Sequence, residues 1–128
     1  MGFKCFYSHA ELIKEFKFLY PENPIVKIGG VSSDSIIDRK SLVYGDLRAY
    51  HSKKEVKVLA YTLEYSFNEK DHQVVELSNK FQLQTRNAFR KLPAASVIKF
   101  LNVKVMLRNG YIETIPIATY YLDEEVQN

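Results

Sequence analysis

The histidines and the single cysteine are the side chains of this sequence best suited to bind a metal or to act in nucleophilic catalysis. No His-x-x-x-His, Cys-x-x-Cys or Asp-x-Asp spacing joins them or the carboxylates, and no Gly-x-Ser-x-Gly element occurs. His51 and His72 stand among polar residues, which is typical of solvated loops. We therefore predict no metal site and no nucleophile among these four residues. They are Cys5, His9, His51 and His72.

Paired carboxylates for acid-base chemistry are the next candidates among the fifteen acidic residues. Asp34, Asp38 and Asp46 fall in predicted loops and Glu64 on a strand face, so no spacing sets them in one cleft. Gly29-Gly30 follows a short predicted strand but lacks the Gly-Lys-Ser/Thr ending of a phosphate-binding loop. We predict no catalytic residues and no cofactor, and therefore a protein that is not an enzyme.

Residues 77–112 contain seven Lys and Arg residues and no acidic residue. Phe81, Phe89, Phe100 and Tyr111 are interleaved with these cations, and such a pattern can bind phosphates and stack on bases. Phe89 and Phe100 fall on apolar faces of the predicted elements, where core packing accounts for them. We rank an anion or nucleic-acid ligand below a basic surface or one side of a protein interface. The seven cations are Lys80, Arg86, Arg90, Lys91, Lys99, Lys104 and Arg108.

Length and composition indicate one domain with an ordinary core. The chain has 128 residues, of which 46% are hydrophobic and 26% are charged, and its net charge is +3. A chain of this length buries roughly two-thirds of its unfolded surface, so its core needs no disulfide. One cysteine allows no internal disulfide. No segment approaches the ~18 consecutive apolar residues of a membrane helix, so we predict no membrane span.

The strongest structural signal is the Asn109-Gly110 pair between two long β-rich runs, residues 97–108 and 111–122. Asn-Gly favours a hairpin in which both turn residues have positive φ. Pro116 places part of the second run at an edge or a bulge. Residues 55–67 alternate with apolar side chains on both faces, which indicates a central strand that is covered on both faces or bent by a bulge.

One helix is predicted over about residues 82–92, with a basic C-terminal end and Pro93 after it. Gly29-Gly30 and the polar run Ser32-Ser33-Asp34-Ser35 together predict a loop. Shorter predicted elements are strands at residues 25–28, 47–50 and 73–77 and a helical turn at residues 38–42.

The domain boundary is predicted at Pro21-Glu22-Asn23-Pro24, because two closely spaced prolines interrupt regular structure. Residues 1–23 are then an N-terminal extension or the end of a preceding domain with its linker. Residues 24–123 form the domain and residues 124–128 a polar tail. The fold class predicted for the domain is all-β, an Ig-like or related antiparallel β-sandwich of about seven strands with one short helix.

An ordered series of motifs in this chain resembles the C-terminal domain of the GldM/PorM family, the motor subunit of gliding and type IX secretion in Bacteroidetes. Residues 16–24 resemble the family's F-x-V-x-x-I-P-D-P entry, and residues 26–30 its V-G-G segment. Residues 56–67 resemble its F-D-x-x-F-x-V-x-S-F strand. Asn109-Gly110 stands where the family has Asp-Gly, and Thr114-Ile115-Pro116 resembles its closing r-x-l-p. The similarity covers roughly residues 16–122.

The resemblance implies a periplasmic module without catalytic residues. In that family it couples an inner-membrane motor to an outer-membrane-associated ring of a lipoprotein and a soluble partner, within a rod-like dimer. The targeting segment would lie upstream of this chain; a chain complete as given would instead be cytoplasmic. Two other functions remain open. One is a stand-alone structural or assembly β-sandwich of a phage or envelope complex, and the other is an anion or nucleic-acid binder that uses residues 77–112.

Overall fold

The computed structural model describes residues 22–124. The predicted extension at residues 1–23 and the predicted tail at residues 124–128 therefore lie almost wholly outside the described residues. Eight strands and two helices make up the described part. They are β1 (Ile25–Ile28), β2 (Val31–Ser32), β3 (Ser35–Ile37), α1 (Arg39–Tyr44), β4 (Leu47–His51), β5 (Lys54–Phe67), β6 (Lys70–Glu76), α2 (Leu83–Lys91), β7 (Val97–Met106) and β8 (Ile112–Leu122).

Most predicted elements are confirmed within a few residues. β1, β4, β5, β7, β8 and α2 lie where the patterns predict them, and the helical turn at residues 38–42 is α1. The predicted loop after Gly29 is wrong in part, because it contains the short strands β2 and β3. β6 begins at Lys70 rather than at residue 73, since the turn before it is only two residues long.

All eight strands belong to one sheet whose two ends come together. The order is β2-β1-β4-β5-β7-β8-β3, with β6 paired to β5. Only Ser33 and Asp34 separate the two end strands, β2 and β3, in sequence. The Tyr120 hydroxyl of β8 donates to the Val31 carbonyl of β2 at 2.8 Å, and the Asp34 amide donates to the Thr119 carbonyl at 2.6 Å. The sheet is therefore nearly closed.

The prediction of a mostly β domain is confirmed, but the Ig-like sandwich of about seven strands is not. β3 pairs in parallel with β8, whereas the other neighbouring strands pair antiparallel. That parallel pair brings the chain back to the far end of the sheet, so the architecture resembles a barrel. The described residues also form two helices where one was predicted.

The sheet bends at one level across three neighbouring strands. In β5 the buried residues Val56 and Val58 are followed by buried Tyr61, so the alternation changes phase between them. The same change occurs at Asn102 in β7 and at Pro116 in β8. Register shifts between β5 and β7 lie at this level, as bulges produce. The predicted bend of β5 is thus confirmed, and Pro116 lies at the bend.

Aromatic side chains fill the centre of the core. Phe81 and Phe89 meet edge to face with ring centroids 5.3 Å apart, and Phe100 and Tyr120 do so at 5.9 Å. Tyr61 packs against Phe100 at 5.4 Å. Edge-to-face contacts of this kind favour one arrangement of the rings beyond the free energy of burying their area. The aromatic cluster therefore joins α2 to both β5 and β7.

The helices have the ends that their sequences predict. α2 buries Phe89 against the core and carries Arg90 in its last turn, and Pro93 follows the helix. The Asp38 carboxylate caps α1 by accepting a hydrogen bond from the Ser41 amide at 3.0 Å. Within residues 22–124, neither helix is long and apolar enough to cross a membrane.

The Asn109-Gly110 hairpin is confirmed, but its predicted turn geometry is wrong. Only Gly110 has positive φ, at 87°. The Gly110 amide donates to the Leu107 carbonyl and the Leu107 amide to the Tyr111 carbonyl, both at 2.8 Å, so the loop has three residues with glycine in the left-handed position. Both residues have positive φ in the turns Gly29-Gly30, Ser52-Lys53 and Asn68-Glu69. The last two pairs contain no glycine.

Candidate protein-interaction surface

The residues singled out for metal or nucleophilic chemistry do not converge in the part of the chain that the structure describes. No group of three or more His, Cys, Asp or Glu residues there could hold a metal ion. His51 is buried, so its predicted place in a solvated loop is wrong, and its Nε2 lies 2.9 Å from the Glu22 carbonyl oxygen. His72 stacks on Tyr65 with ring centroids 5.2 Å apart. Cys5 and His9 lie outside the described residues.

The candidate carboxylates lie on separate elements. Asp38 caps α1, and the hydrogen bonds that it accepts from the Ser41 hydroxyl and amide lower its pKa below the ordinary value. Asp46 pairs with Arg86 of α2. Glu64 lies on β5 and accepts a hydrogen bond from Gln73, and Asp34 lies between β2 and β3. The structure therefore brings no two of these four carboxylates together.

A buried polar cluster fastens the start of α2 to the end of β6. The Glu76 carboxylate accepts hydrogen bonds from Gln82 Nε2 at 3.0 Å and from Thr85 Oγ1 at 3.4 Å. Tyr61 is opposite Glu76 in the β5–β6 pair, and burial, with the Glu76 charge adding to it, raises the Tyr61 pKa well above its ordinary value. Among the described residues, the Tyr61 hydroxyl has no hydrogen-bond partner. Glu76, Thr85 and Tyr61 are buried, so we assign the cluster a structural role.

Two depressions open on the surface of the described region. The larger, of about 370 Å³, lies beside β4 and β5, where Arg48 and Glu55 pair at 3.0 Å. The smaller, of about 290 Å³, lies beside β1 and β4, where the Lys27 ammonium is 5.5 Å from the Tyr50 ring centroid. Neither lining includes a histidine or a cysteine among the residues described. Neither depression therefore pairs a nucleophile with a histidine base.

The cations of residues 77–112 are divided among different elements. Arg86, Arg90 and Lys91 lie on α2, whereas Lys99 and Lys104 lie on β7. Arg86 is used within the fold, because its guanidinium donates to backbone carbonyls and pairs with a carboxylate. Lys99 stands beside Glu64 across the strands. This arrangement does not favour the nucleic-acid alternative, which needs a continuous basic track.

The feature with the greatest capacity for recognition is the outer face, which we define as the side of β6, β5, β7, β8 and β3 that points away from the core. The registers place one row of side chains across four of these strands, in the order Val75, Thr62, Leu101 and Ile117. Val75 is 64% exposed and Ile117 is 51% exposed. Three of the four side chains in this row are aliphatic, and exposed aliphatic side chains grouped on one face are typical of a binding surface.

A second apolar row crosses the same face. Val97 of β7 is opposite Tyr121 of β8, and Tyr121 is beside Ile36 of β3, which is 66% exposed. Between the two apolar rows, Gln73, Glu64 and Lys99 form a polar row, in which Gln73 Nε2 donates to Glu64 Oε2 at 2.9 Å. Apolar rows provide contact area for a protein partner, and the polar groups between them fix its orientation.

No motif or spacing in the sequence singles out these outer-face residues. In residues 97–106 and 112–122, apolar residues occur on both faces of the predicted strand. Periodicity alone does not show which of these faces points away from the core. The registers that align Leu101 with Ile117, and Tyr121 with Ile36, come from the fold.

No protein-family model matches this chain, and no curated protein sequence matches it.

Proposed function

We propose that this chain is a non-enzymatic protein-interaction module, and that it acts as the distal periplasmic domain of a GldM-like motor subunit. In this role it couples an inner-membrane motor to an outer-membrane-associated ring. The observation that carries the proposal is the outer face, where two mostly apolar, exposed rows flank one polar row. The assignment to a motor subunit has a second support, the ordered motifs of residues 16–122.

The energetics of the outer face suit a protein partner. Burying an aliphatic side chain stabilises a complex by about 1.5–3 kcal/mol when it starts fully exposed, and by about half that when it starts half exposed. Val75, Ile117 and Ile36 together would therefore contribute about 2–5 kcal/mol. These residues sit on paired strands, so little conformational entropy is lost when they bind.

The architecture also suits a part that transmits force. A nearly closed sheet has few unpaired ends, and the strands of an antiparallel ladder must shear together before they separate. The link of two residues between β2 and β3, together with the Tyr120–Val31 hydrogen bond, holds the ends of the sheet against each other. We take this bent, nearly closed sheet as the counterpart of the antiparallel sandwich that the resemblance implies.

The test is binding to purified ring components, the lipoprotein and the soluble partner encoded in the same genome. We expect Ile117→Lys to weaken binding at least tenfold, because it places a charge in the first apolar row. Ile25→Lys is the matched control, since Ile25 is 48% exposed but lies on β1, outside the outer face. Equal effects of the two variants, or no binding by the unmodified chain, would overturn the ring-binding role.

A second experiment separates the motor from the stand-alone alternative. The motor assignment requires an open reading frame that continues upstream into a membrane-spanning helix. A stop codon and a ribosome-binding site immediately upstream would contradict the motor assignment and leave a stand-alone interaction protein.

A further inference from the structure

We propose that the outward edge of β6 captures an extended strand from a partner protein, with aliphatic residues at alternate positions and a Lys or Arg opposite Asp71. This inference deepens the proposed function and rests on it in taking the partner to be a protein. It concerns the edge of the sheet, whereas the proposed function concerns its outer face.

The backbone geometry of the β5–β6 hairpin determines which groups the edge presents. Phe67 and Lys70 flank the two-residue turn, so they form a hydrogen-bonded pair, and every second pair along the ladder does the same. The amide and carbonyl groups of the intervening residues of β6 therefore point away from β5. Among residues 22–124, no strand pairs with this side of β6. The residues that present these groups are Asp71, Gln73 and Val75.

Features that protect a sheet edge from pairing are few along this stretch. Proteins protect edges with proline, bulges and charged residues. Among the described residues, part of β8 pairs only with β7, and this part contains Pro116. β6 contains no proline, and its register with β5 is continuous. Its exposed charges lie next to the turn, at Lys70 and Asp71, so the rest of the edge remains suited to pairing.

Exposed aliphatic side chains surround the C-terminal end of this edge. Val75 is 64%, Leu77 79% and Leu83 70% exposed. The Gln82–Glu76 hydrogen bond of 3.0 Å holds the start of α2, which includes Leu83, against the end of β6, and Leu77 directly follows the strand. A strand added to the edge would place its own alternate side chains beside Val75. This contact is the reason why the captured strand should be aliphatic.

The acidic charge on this edge is the reason for the second feature of the captured strand, its Lys or Arg. Asp71 is exposed on the outer face and accepts a hydrogen bond from the Ser66 hydroxyl at 2.5 Å. Glu64 is on the same face, one row further along. A strand that pairs with the edge near its turn therefore meets acidic groups, and opposite charges on directly facing strand positions stabilise the pair.

A second copy of this chain fits the edge less well. In an antiparallel β6–β6 pair centred on Gln73, Asp71 of each copy would face Val75 of the other. A register centred on Asp71 would place the two carboxylates against each other, which destabilises the pair. In each of these registers, either Asp71 lacks a cationic partner or Val75 lacks an aliphatic partner. The edge is therefore better matched to a strand of different sequence.

The probe is a fluorescent synthetic peptide of seven residues, Val-Thr-Val-Thr-Val-Thr-Lys, titrated into the full chain. Paired antiparallel to β6, it places Lys opposite Asp71 and valines opposite Gln73 and Val75. We expect saturable binding with a Kd on the order of 10–100 µM, which is typical of one added strand. Hydrogen exchange at the amides of Asp71, Gln73 and Val75 should slow at least tenfold when the peptide is bound. Protection confined to other strands would overturn the proposal.

Matched peptides make the test independent of protein folding. N-methylation of every second peptide amide blocks one edge of the added strand, and methylation of the remaining amides blocks its other edge. We expect one methylated series to lose binding at least tenfold and the other to retain it, because only one edge faces β6. Equal effects of both series would contradict strand pairing.

Variants separate this inference from the proposed function. Asp71→Lys should weaken binding of this peptide at least fivefold and improve binding of a Val-Thr-Val-Thr-Val-Thr-Glu peptide, while Ile117→Lys should leave both unchanged. If the chain binds the ring components but not the peptide, the edge inference alone is overturned. Dimers that disappear in Asp71→Lys, seen by light scattering without peptide, would overturn it in favour of a second copy.

Discussion

Arg86 and Asp46 form an ion pair of 3.0 Å that joins α2 to the segment between α1 and β4. The same guanidinium donates to the carbonyl oxygens of Val43 at 2.6 Å and of Gly45 at 3.0 Å. It also lies 5.4 Å from the centroid of the Phe81 ring. One side chain thus satisfies the carbonyl groups at the end of α1, neutralises a carboxylate and covers the aromatic core.

We expect Arg86→Met to destabilise the fold by about 2–3 kcal/mol, because it leaves the Asp46 carboxylate and two carbonyl groups without their donor. Urea denaturation at neutral pH measures the loss. Lys91→Met, an exposed change on the same helix, is the control and should stay within about 0.5 kcal/mol. Equal losses in the two variants would show that the Arg86 contacts contribute little.

Removing the hydroxyl group should change the stability of the fold differently at two buried tyrosines. Tyr120→Phe removes the hydrogen bond to the Val31 carbonyl and should cost about 1–1.5 kcal/mol. The Tyr61 hydroxyl has no hydrogen-bond partner among residues 22–124, so Tyr61→Phe should change stability by less than about 0.5 kcal/mol or increase it. Both substitutions keep the ring, so urea midpoints compare the hydroxyls directly. A larger loss for Tyr61→Phe would contradict this assignment.

Asp38 should make a pH-dependent contribution through its cap on α1. Its hydrogen bonds with Ser41 lower its pKa in the folded chain, so the stabilisation is present above the ordinary pKa of about 3.9 and is lost as pH falls below it. Asp38→Ala should cost about 1 kcal/mol at neutral pH. Asp38→Asn keeps an accepting oxygen without the charge, so its stability relative to the unmodified chain should improve between neutral pH and about pH 3. A pH-independent difference would exclude a role for the charge.

The Asn68-Glu69 turn offers a stabilising substitution. Both residues have positive φ, 52° and 64°, and Glu69→Gly creates the Asn-Gly pair that such a turn favours. We expect a gain of about 0.5–1 kcal/mol in thermal unfolding. Gly110→Ala is the reciprocal control and should lose about 1 kcal/mol, since Gly110 has a φ of 87°. A loss of stability in Glu69→Gly would mean that the Glu69 side chain contributes more than its backbone strain costs.

Local signals predicted the elements that local chemistry determines. α2 has a basic end and a following proline, and the β7–β8 hairpin has Asn109-Gly110, so both could be located before the fold was known. The left-handed backbone geometry of the Asn68-Glu69 and Ser52-Lys53 turns could not be predicted, because their residues adopt positive φ only under the constraint of the strands that they join. The buried position of His51 was missed for a related reason, since its polar neighbours belong to a tight turn rather than to a solvated loop.

The closure of the sheet and the interaction surface depend on contacts between distant residues. β3 contributes three residues to a parallel pair with β8, and nothing in Ser35-Ile36-Ile37 announces that partner. The outer face likewise requires the register that aligns Ile36 with Tyr121. Periodicity identifies which residues share a face of one strand, but it does not identify which strand lies beside it.

The bend shared by β5, β7 and β8 constrains how the length of this chain can change over evolution. Loss or gain of one residue at Ala60 alone would reverse the facing of every later side chain in β5 and expose Tyr61 and Leu63. A compensating change would be needed at Asn102 in β7 and at Pro116 in β8. Homologous sequences should therefore show insertions and deletions at these three positions together or not at all.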